Sequence, residues 1–320
     1  MERAEATEAI KRKARALGFE RVGIANAERT PHADSFLDWL NQGRQGEMEY
    51  LRRSAAERMD IQKVLPGAKS VVCVAKNYFT KDVFSGSGTA PRGAISRYAW
   101  GDDYHEVVGE GLKRLAEFME NGIAAQTRGT VATKWYVDTG PVLEREYAAQ
   151  AGVGWIGKNT CVIDPERGSY YFLGEVITTL ELAPDTPMSD HCGNCTLCIQ
   201  ACPTGALAGP YELDARKCIS YLTIEHRDEI PAGIRPAMDH HIYGCDICQE
   251  VCPWNSGAKP TDDRRFHPRP GFEHVDLQEW AEMTEEEYRR RLKNSPMKRA
   301  KYEGLMRNIR VAMENARGNK

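Results

Sequence analysis

The chain has 320 residues, 41% of them hydrophobic and 28% charged, with a formal net charge of −3. That length allows one to three domains with a sizeable core, and the composition is that of a globular protein without low-complexity tracts or obvious repeats. The charge argues neither for nor against nucleic acid, and the longest apolar stretches, such as "SVVCVA", are far too short to cross a bilayer.

In chain order, residues 4–17 predict an amphipathic helix stopped by Gly18. The N-terminal stretch "MERAEATEAIKRKARALGF" has neither the apolar region of a signal peptide nor a twin-arginine signal, so a cytoplasmic chain is expected. "RVGIA" (21–25) predicts a strand, followed by helical stretches near 33–42 and 47–57. "SVVCVAKNY" (70–78), introduced by the turn at Pro66-Gly67, predicts a second strand. A Ser- and Gly-rich loop (85–93) leads to "ISRYAWGDDYH". A long amphipathic helix follows, over about 103–121, ending at Asn121-Gly122. "KWYVD" (134–138) predicts a short strand, and Gly140-Pro141 a helix start with proline at its favoured first position. "CVIDP" and "YFLGEVITTLEL" predict two further strands. Helices and strands alternate over 1–182, which predicts an α/β domain. Residues 183 to about 260 form a short, turn-rich segment held by its metals, and the remainder is helical. From Tyr288 to Lys320, eleven Lys or Arg stand against two Glu. A phosphate-binding surface and a solvated helix face are both open readings of that stretch.

In a reducing compartment ten cysteines are poor grounds for disulfides, and eight of them lie between 192 and 252, which points to metal. "CGNCTLCIQACP" (192–203) is the C-x2-C-x2-C-x3-C-P run of bacterial ferredoxins, in which three thiolates hold one [4Fe–4S] cube and the fourth crosses to the other. Cys192, Cys195 and Cys198 are therefore expected on one cube, with Cys252 crossing back from "CDICQEVCP". Cys202, Cys245 and Cys248 are expected on the second. That cube lacks one thiolate, and Cys218 in "ARKCISYL" is the unassigned cysteine within the segment. The rival is a pair of zinc sites, since CxxC pairs also bind zinc. The third cysteine at x2 and the Cys-Pro ending of both runs oppose it. Cys73 and Cys161, in apolar strands, are expected to be buried, inert thiols. Two cubes form a one-electron wire, which implies an acceptor in the preceding domain.

Three motifs carry competing readings. "AGVGWIGKNT" (151–160) contains G-x-G-x-x-G and nearly matches a P-loop. Both nucleotide motifs need a strand before and a helix after. Here the helix "LEREYAAQA" comes first and the strand "CVID" follows, so Gly152 reads better as a helix C-cap. "DHHIYG" (239–244) fits the D-x-H-x-x-G pattern of cobalamin methyltransferases, but it runs straight into Cys245. His241 is therefore discounted as a cobalt ligand. "YVDTGPVLERE" sets Asp138 at a strand end. It either caps the following helix or serves as a general acid whose pKa is raised by an apolar surface.

With the cysteine pattern and "WYVDTGPVLEREYAAQAGVGWIGKNTCVI", the chain resembles the epoxyqueuosine reductases. The similarity runs from about residue 15 to the C-terminal end. It includes "AAERMDIQKVLPGAKSVV", "ISRYAWGDDYHEVV", "GSYYFLGEVIT", "YGCDICQEVCPWN" and "SPMKRAKYEGLMRNIRVAM". The resemblance implies a mixed α+β or α/β fold in three parts. These are a nitroreductase-like cobalamin-binding domain (1–182), a two-[4Fe–4S] ferredoxin-like domain (183–260) and a basic helical C-terminal segment (261–320), a shortened HEAT-like region. It implies cobalamin held base-off with no protein ligand to cobalt, and Asp138 as the proton donor. It places cobalamin contacts at Arg58, Ser96 (cysteine in some relatives), Asp138, Asn159, Val162, Leu173, Ser220 and Asp246. The substrate is epoxyqueuosine at the wobble position of tRNA, reduced to queuosine in the last step of its synthesis. A low-potential donor such as flavodoxin or ferredoxin is implied, with no membrane and a monomeric chain. Many relatives continue into helical repeats after "RN", whereas this chain stops soon after Arg307-Asn308. The stretch 289–320 is then expected to carry more of the grip on tRNA phosphates.

Opening an epoxide to an alkene removes oxygen as water and needs two electrons and two protons. The clusters supply electrons singly, cobalamin accumulates them, and Asp138 is expected to protonate the leaving oxygen. The modified base must leave its stack to reach the pocket. Two other classes remain open: a corrinoid reductive dehalogenase, which usually carries an export signal, and a plain iron–sulfur electron-transfer protein without corrin.

Overall fold

The computed structural model describes residues 2–81, 91–127, 130–273 and 275–318; most of the Ser- and Gly-rich loop at 85–93 falls outside them. A four-stranded sheet in the order β1 (Arg21–Asn26), β2 (Ser70–Asn77), β7 (Tyr171–Thr178), β4 (Thr133–Tyr136) forms the centre of the N-terminal half. β2 splits its apolar side chains between two layers. Val72 and Val74 pack with the helices Arg3–Ala16 and Tyr104–Glu117, while Val71, Cys73 and Ala75 pack under the helix Glu144–Gln150. Every pairing in this sheet is antiparallel. The alternation of helix and strand is therefore real but builds no parallel crossovers, and the sheet lies on the α+β side of the expected class.

Two expected boundaries move. The helix from Tyr104 does not stop at Gly122. It widens into a π turn, Phe118–Ile123, and continues as Ala124–Thr127. Met119 and Ile123 are fully buried on this turn, and burying two large side chains outweighs the roughly 1 kcal/mol that glycine costs a helix. Pro141 does not open the next helix, which starts at Glu144. The Arg58 guanidinium binds the Val142 carbonyl at 2.8 Å and holds residues 137–143 as a loop. That helix ends as expected: Val153 N–H donates to Ala148 O and Gly152 N–H to Ala149 O, with Gly152 at φ +66°, the paired bonds of a Schellman cap. A two-stranded hairpin follows, β5 (Trp155–Ile156) with β6 (Val162–Ile163), so no helix meets the glycine motif.

A second core ties the chain's parts together. β3 (Arg92–Ile95) pairs in parallel with the strand His241–Tyr243 and antiparallel with Val275–Asp276. The C-terminal helix Lys301–Gly318 packs over this small sheet. Its Arg307 is 5% exposed and donates to the carbonyls of Leu222, His226 and Asp228. Asn308 reaches the carbonyls of Thr223 and Ile242. The "RN" pair is thus a structural rivet. Among the described residues no helix is long and apolar enough to cross a membrane.

Arg307→Ala strands the buried carbonyl of Leu222 and the partly buried ones of His226 and Asp228 and should cost about 3 kcal/mol. Arg289→Ala, which removes an exposed pair with Glu285, should stay within about 0.5 kcal/mol. Urea unfolding of the two variants checks the difference.

Candidate active site and cluster-binding segment

The two cysteine runs are built alike. A short helix, Leu197–Ala201 in one and Ile247–Glu250 in the other, precedes a Cys-Pro pair, and the two helices pack together. Proline excludes the preceding residue from the helical region, so Cys202 and Cys252 are extended (ψ 108° and 122°) and leave their own helices. Cys192, Cys195, Cys198 and Cys252 line one cavity of about 260 Å³, with Lys158 and Asn159 on its wall. Zinc would draw four sulfurs to within about 2.3 Å of one point; here they surround a space, as a cubane requires. Cys218 stands near Cys202, and Cys245 near both. Cys248 faces Cys218 and Cys245, so the second expected set also comes together. Lys158, the lysine of the apparent P-loop, donates to the carbonyls of Gly193 (2.5 Å) and Cys195 (3.0 Å) in the first cysteine loop.

Cys161 departs from its expected inert place. It lies just before β6, half-buried, with its thiol against Cys248, because the turn at 157–161 folds onto the second run. Asn159 anchors that turn: its Nδ2 donates to Cys248 O (3.2 Å) and its Oδ1 accepts from Cys161 N–H. Cys73 is buried in β2 as expected.

Asp138 sits in the loop after β4 at φ +57°, a left-handed conformation that aspartate tolerates better than most residues. It does not cap the next helix; instead Glu144, the first residue of that helix, accepts the Asp138 backbone N–H at 2.6 Å. The Asp138 carboxylate lies deep among neighbouring elements yet is 60% exposed, which describes the floor of an open cleft. Tyr104 O–H donates to its Oδ2 at 2.8 Å. His105 Nε2 lies 3.5 Å from the same oxygen, an ion pair without hydrogen-bond alignment, and its Nδ1–H donates to Asp103 at 2.7 Å.

These neighbours reverse the expected electrostatics of Asp138. Burial pushes its carboxyl up, but the neighbouring His105 and the Tyr104 hydrogen bond outweigh it and hold the group below the usual carboxylate range. Burial disfavours the imidazolium of His105, yet its bond to Asp103 and its ion pair with Asp138 prevail and raise its pKa to about 9. At neutral pH the dyad holds one proton, resident on His105. Neither Tyr104 nor His105 was expected as a site residue, although both lie in the quoted "GDDYHEVV" block.

The remaining expected contacts fall in three places. Ser96 Oγ donates to Asp246 Oδ1 (2.5 Å) and Arg97 N–H to Oδ2 (2.7 Å), so Ser96 and Asp246 join β3 to the second cysteine run. Gly244 fits between them: a Cβ there would lie 2.5 Å from that of Ser96, and its φ is +69°. Val162 and Leu173 pack in the layer beneath the helix Glu144–Gln150, where Arg58 also reaches. Ser220 sits beside the Cys218 thiol. His241 stacks on His240 and donates from Nδ1 to Met238 O.

A cavity of about 850 Å³ opens beside Arg145 and Thr160 and runs between Trp39, Trp155 and Tyr211. Its lining includes none of the expected contacts, though Thr160 adjoins Asn159 and its carbonyl is held by Arg145 at 2.9 Å. The buried Trp155 indole N–H has no protein partner. Its aromatic walls suit a ring-bearing ligand, but the lining also carries Asp38, Glu146, Asp190 and Glu212, the last paired with Arg44, so it does not favour a phosphate. The periodic signals used for core and motif reading do not reach this wall, which is assembled from four separate segments.

About half of the basic C-terminal stretch is neutralised or buried. Arg289, Arg291, Arg299 and Arg310 pair with Glu285, Glu279, Glu225 and Glu229, and Arg307 is buried. Among the described residues Arg290, Lys293, Lys298, Lys301 and Arg317 make no ion pair, and Lys298 stands close enough to Asp103 for its charge to be felt there.

Comparison with known proteins agrees with this arrangement. A family model described as "Epoxyqueuosine reductase QueG, DUF1730" matches residues 58–139, and one described as "4Fe-4S double cluster binding domain" matches 191–255. The epoxyqueuosine reductase of Pseudomonas aeruginosa is 41% identical over 316 residues, covering 98% of this chain and 86% of the relative. An epoxyqueuosine reductase solved with an epoxyqueuosine-modified tRNA-Tyr stem loop superposes with a TM-score of 0.88 at 31% identity, over 97% of this chain and 81% of that one. The Bacillus subtilis epoxyqueuosine reductase, solved with its catalytic aspartate loop swung out of the active site, gives 0.87 at 30% identity, over 97% and 82%. The chain belongs to the epoxyqueuosine reductase family.

Proposed function

We propose that this chain reduces epoxyqueuosine to queuosine at the wobble position of tRNA, the last step of queuosine synthesis. The near full-length identity to the Pseudomonas aeruginosa enzyme carries this reading, and the relative solved with a modified tRNA stem loop supports the substrate. The three-part division at 1–182, 183–260 and 261–320 belongs to the same reading. So do a monomeric chain in the cytoplasm and a low-potential donor such as flavodoxin or ferredoxin.

Cys192, Cys195, Cys198 and Cys252 would hold one [4Fe–4S] cluster and Cys202, Cys218, Cys245 and Cys248 the other. Arg58, Ser96, Asp138, Asn159, Val162, Leu173, Ser220 and Asp246 would border the cobalamin. When bound, these groups supply two low-potential electrons, delivered singly and accumulated at cobalt. The protein supplies the proton and the fit. Asp138, open on the cleft floor, meets the leaving epoxide oxygen. His105 holds the proton at neutral pH, and Asp138 passes it on when the incoming base closes the cleft and the 3.5 Å contact shortens. Lys293, Lys298 and Lys301 offer unpaired cations to the tRNA backbone, which positions the base without reading it.

Asp138→Asn, loaded with both clusters and cobalamin, should lose roughly a hundredfold or more in kcat. Mass spectrometry of tRNA nucleosides reads this as epoxyqueuosine retained and queuosine not formed; full turnover would refute the acid role. The raised His105 pKa means its proton is present at neutral pH and lost as pH rises through about 9. His105→Gln should therefore lower kcat, abolish the decline near that pH, and let the Asp138 carboxyl titrate at higher pH than in the parent. Cys218→Ala should cut iron content by roughly half while the first cluster keeps its electron paramagnetic resonance signal. Unchanged iron would remove Cys218 from the ligand set.

A further inference from the structure

The reaction consumes two protons, and the Asp138–His105 dyad holds one. Behind the dyad lies a second carboxyl pair that the mechanism above does not use. Glu175 stands in the middle of β7, opposite Cys73 of β2 and Tyr136 of β4. It is 0% exposed, and neither of its oxygens receives a hydrogen bond from any N–H or O–H donor of the described protein. Its polar neighbour is the Glu144 carboxyl. Two carboxylates cannot hydrogen-bond, and a buried, unpaired one costs several kcal/mol or neutralises instead. Contact between them requires a proton. Glu144, half-buried, in turn holds the Asp138 N–H at 2.6 Å.

We propose that Glu175 is the neutral partner of Glu144, and that Glu144 is the proton reserve that reloads Asp138 for the second protonation. The inference rests on the acid role of Asp138. After Asp138 has given its proton to the leaving oxygen, the Glu144 O–H proton moves to the Asp138 carboxylate. Glu144 is left ionised, held by the Asp138 N–H and the Glu175 O–H, and recovers a proton from solvent once product leaves. No electrons move in this step. The charges facing Glu144 are Asp138 and Arg145 on the loop and helix, Glu175 and Cys73 on the sheet, Arg58 across the loop and Tyr104 beyond Asp138. Burial, then repulsion from Asp138, lifts the Glu144 carboxyl to about 7 against the Asp138 N–H and Glu175 bonds. Burial keeps Glu175 well above the usual carboxylate range. Glu144 thus carries its proton below neutrality and loses it as pH rises through about 7.

The test uses holoenzyme with both clusters and cobalamin, and epoxyqueuosine-containing tRNA. Glu144→Gln keeps an acceptor for the Asp138 N–H but holds no labile proton. Its steady-state rate should fall roughly tenfold, less than for loss of a direct proton donor, and the rate should no longer decline near pH 7. Glu175→Gln, still a neutral donor, should leave that decline in place, whereas Glu175→Leu should move it to higher pH. Infrared titration should show a buried protonated carboxyl band that Glu175→Gln removes. An unchanged pH profile in Glu144→Gln, or a Glu175→Gln profile displaced to lower pH as for relief from an ionised partner, overturns the proposal. If Asp138→Asn is inactive while Glu144→Gln matches the parent, the reserve alone fails; if Asp138→Asn turns over fully, the acid role fails first.

Discussion

The position of the cysteine runs against the reactive cleft depends on how Asp246 is held. It lies between Cys245 and Cys248, and both of its oxygens are engaged, by Ser96 Oγ and by Arg97 N–H. Ser96 directly follows β3, which is locked between strands from the middle and the end of the chain. Asn159 adds a grip on the Cys248 carbonyl from the turn before β6. Electron transfer weakens steeply with distance, so a cluster segment free to rock on a linker would feed its acceptor erratically. Here the polar clamp of Asp246 is buried, where an unmade hydrogen bond is expensive. The segment 183–260 is therefore seated on the sheet body even though its own regular structure is sparse.

Local chemistry is what the sequence made legible. Thiolate spacing and the Cys-Pro rule act within a few residues, so seven of the eight expected thiolates follow from the two runs, while Cys218 enters only by elimination. The same holds for Gly152, whose helix C-cap follows from its immediate neighbours. Long-range partners were not legible. The acid strength of Asp138 is decided by Tyr104 and His105, which arrive from another helix. The false helix start at Pro141 comes from Arg58, eighty-four residues away, binding Val142. A count of basic residues after Tyr288 could not see Glu225 and Glu229 waiting on a distant segment, nor that Arg307 is spent on backbone carbonyls. Cys161 looked inert because its strand is apolar; its position at the strand's edge puts it against Cys248.

The cleft also has to tolerate a changing charge. Each electron added to a centre bordered by carboxylates raises its energy, the more so where protein has replaced water. Asp138, Glu144, Glu175 and Asp246 would place four negative charges in this region if all were ionised. Arg58, Arg145 and the His105 cation offset Asp138 and Asp246, and Glu144 keeps its proton below about pH 7. Glu175, buried without a donor of its own, cannot be the fourth and stays neutral. The site thus carries no excess of negative charge before reduction begins, and each proton that leaves the dyad or Glu144 for the substrate accompanies an electron moving the same way. The negative charge left on Asp138 and Glu144 lasts only until solvent returns their protons, which is the condition under which a carboxylate-rich wall can stand beside a strongly reducing cofactor.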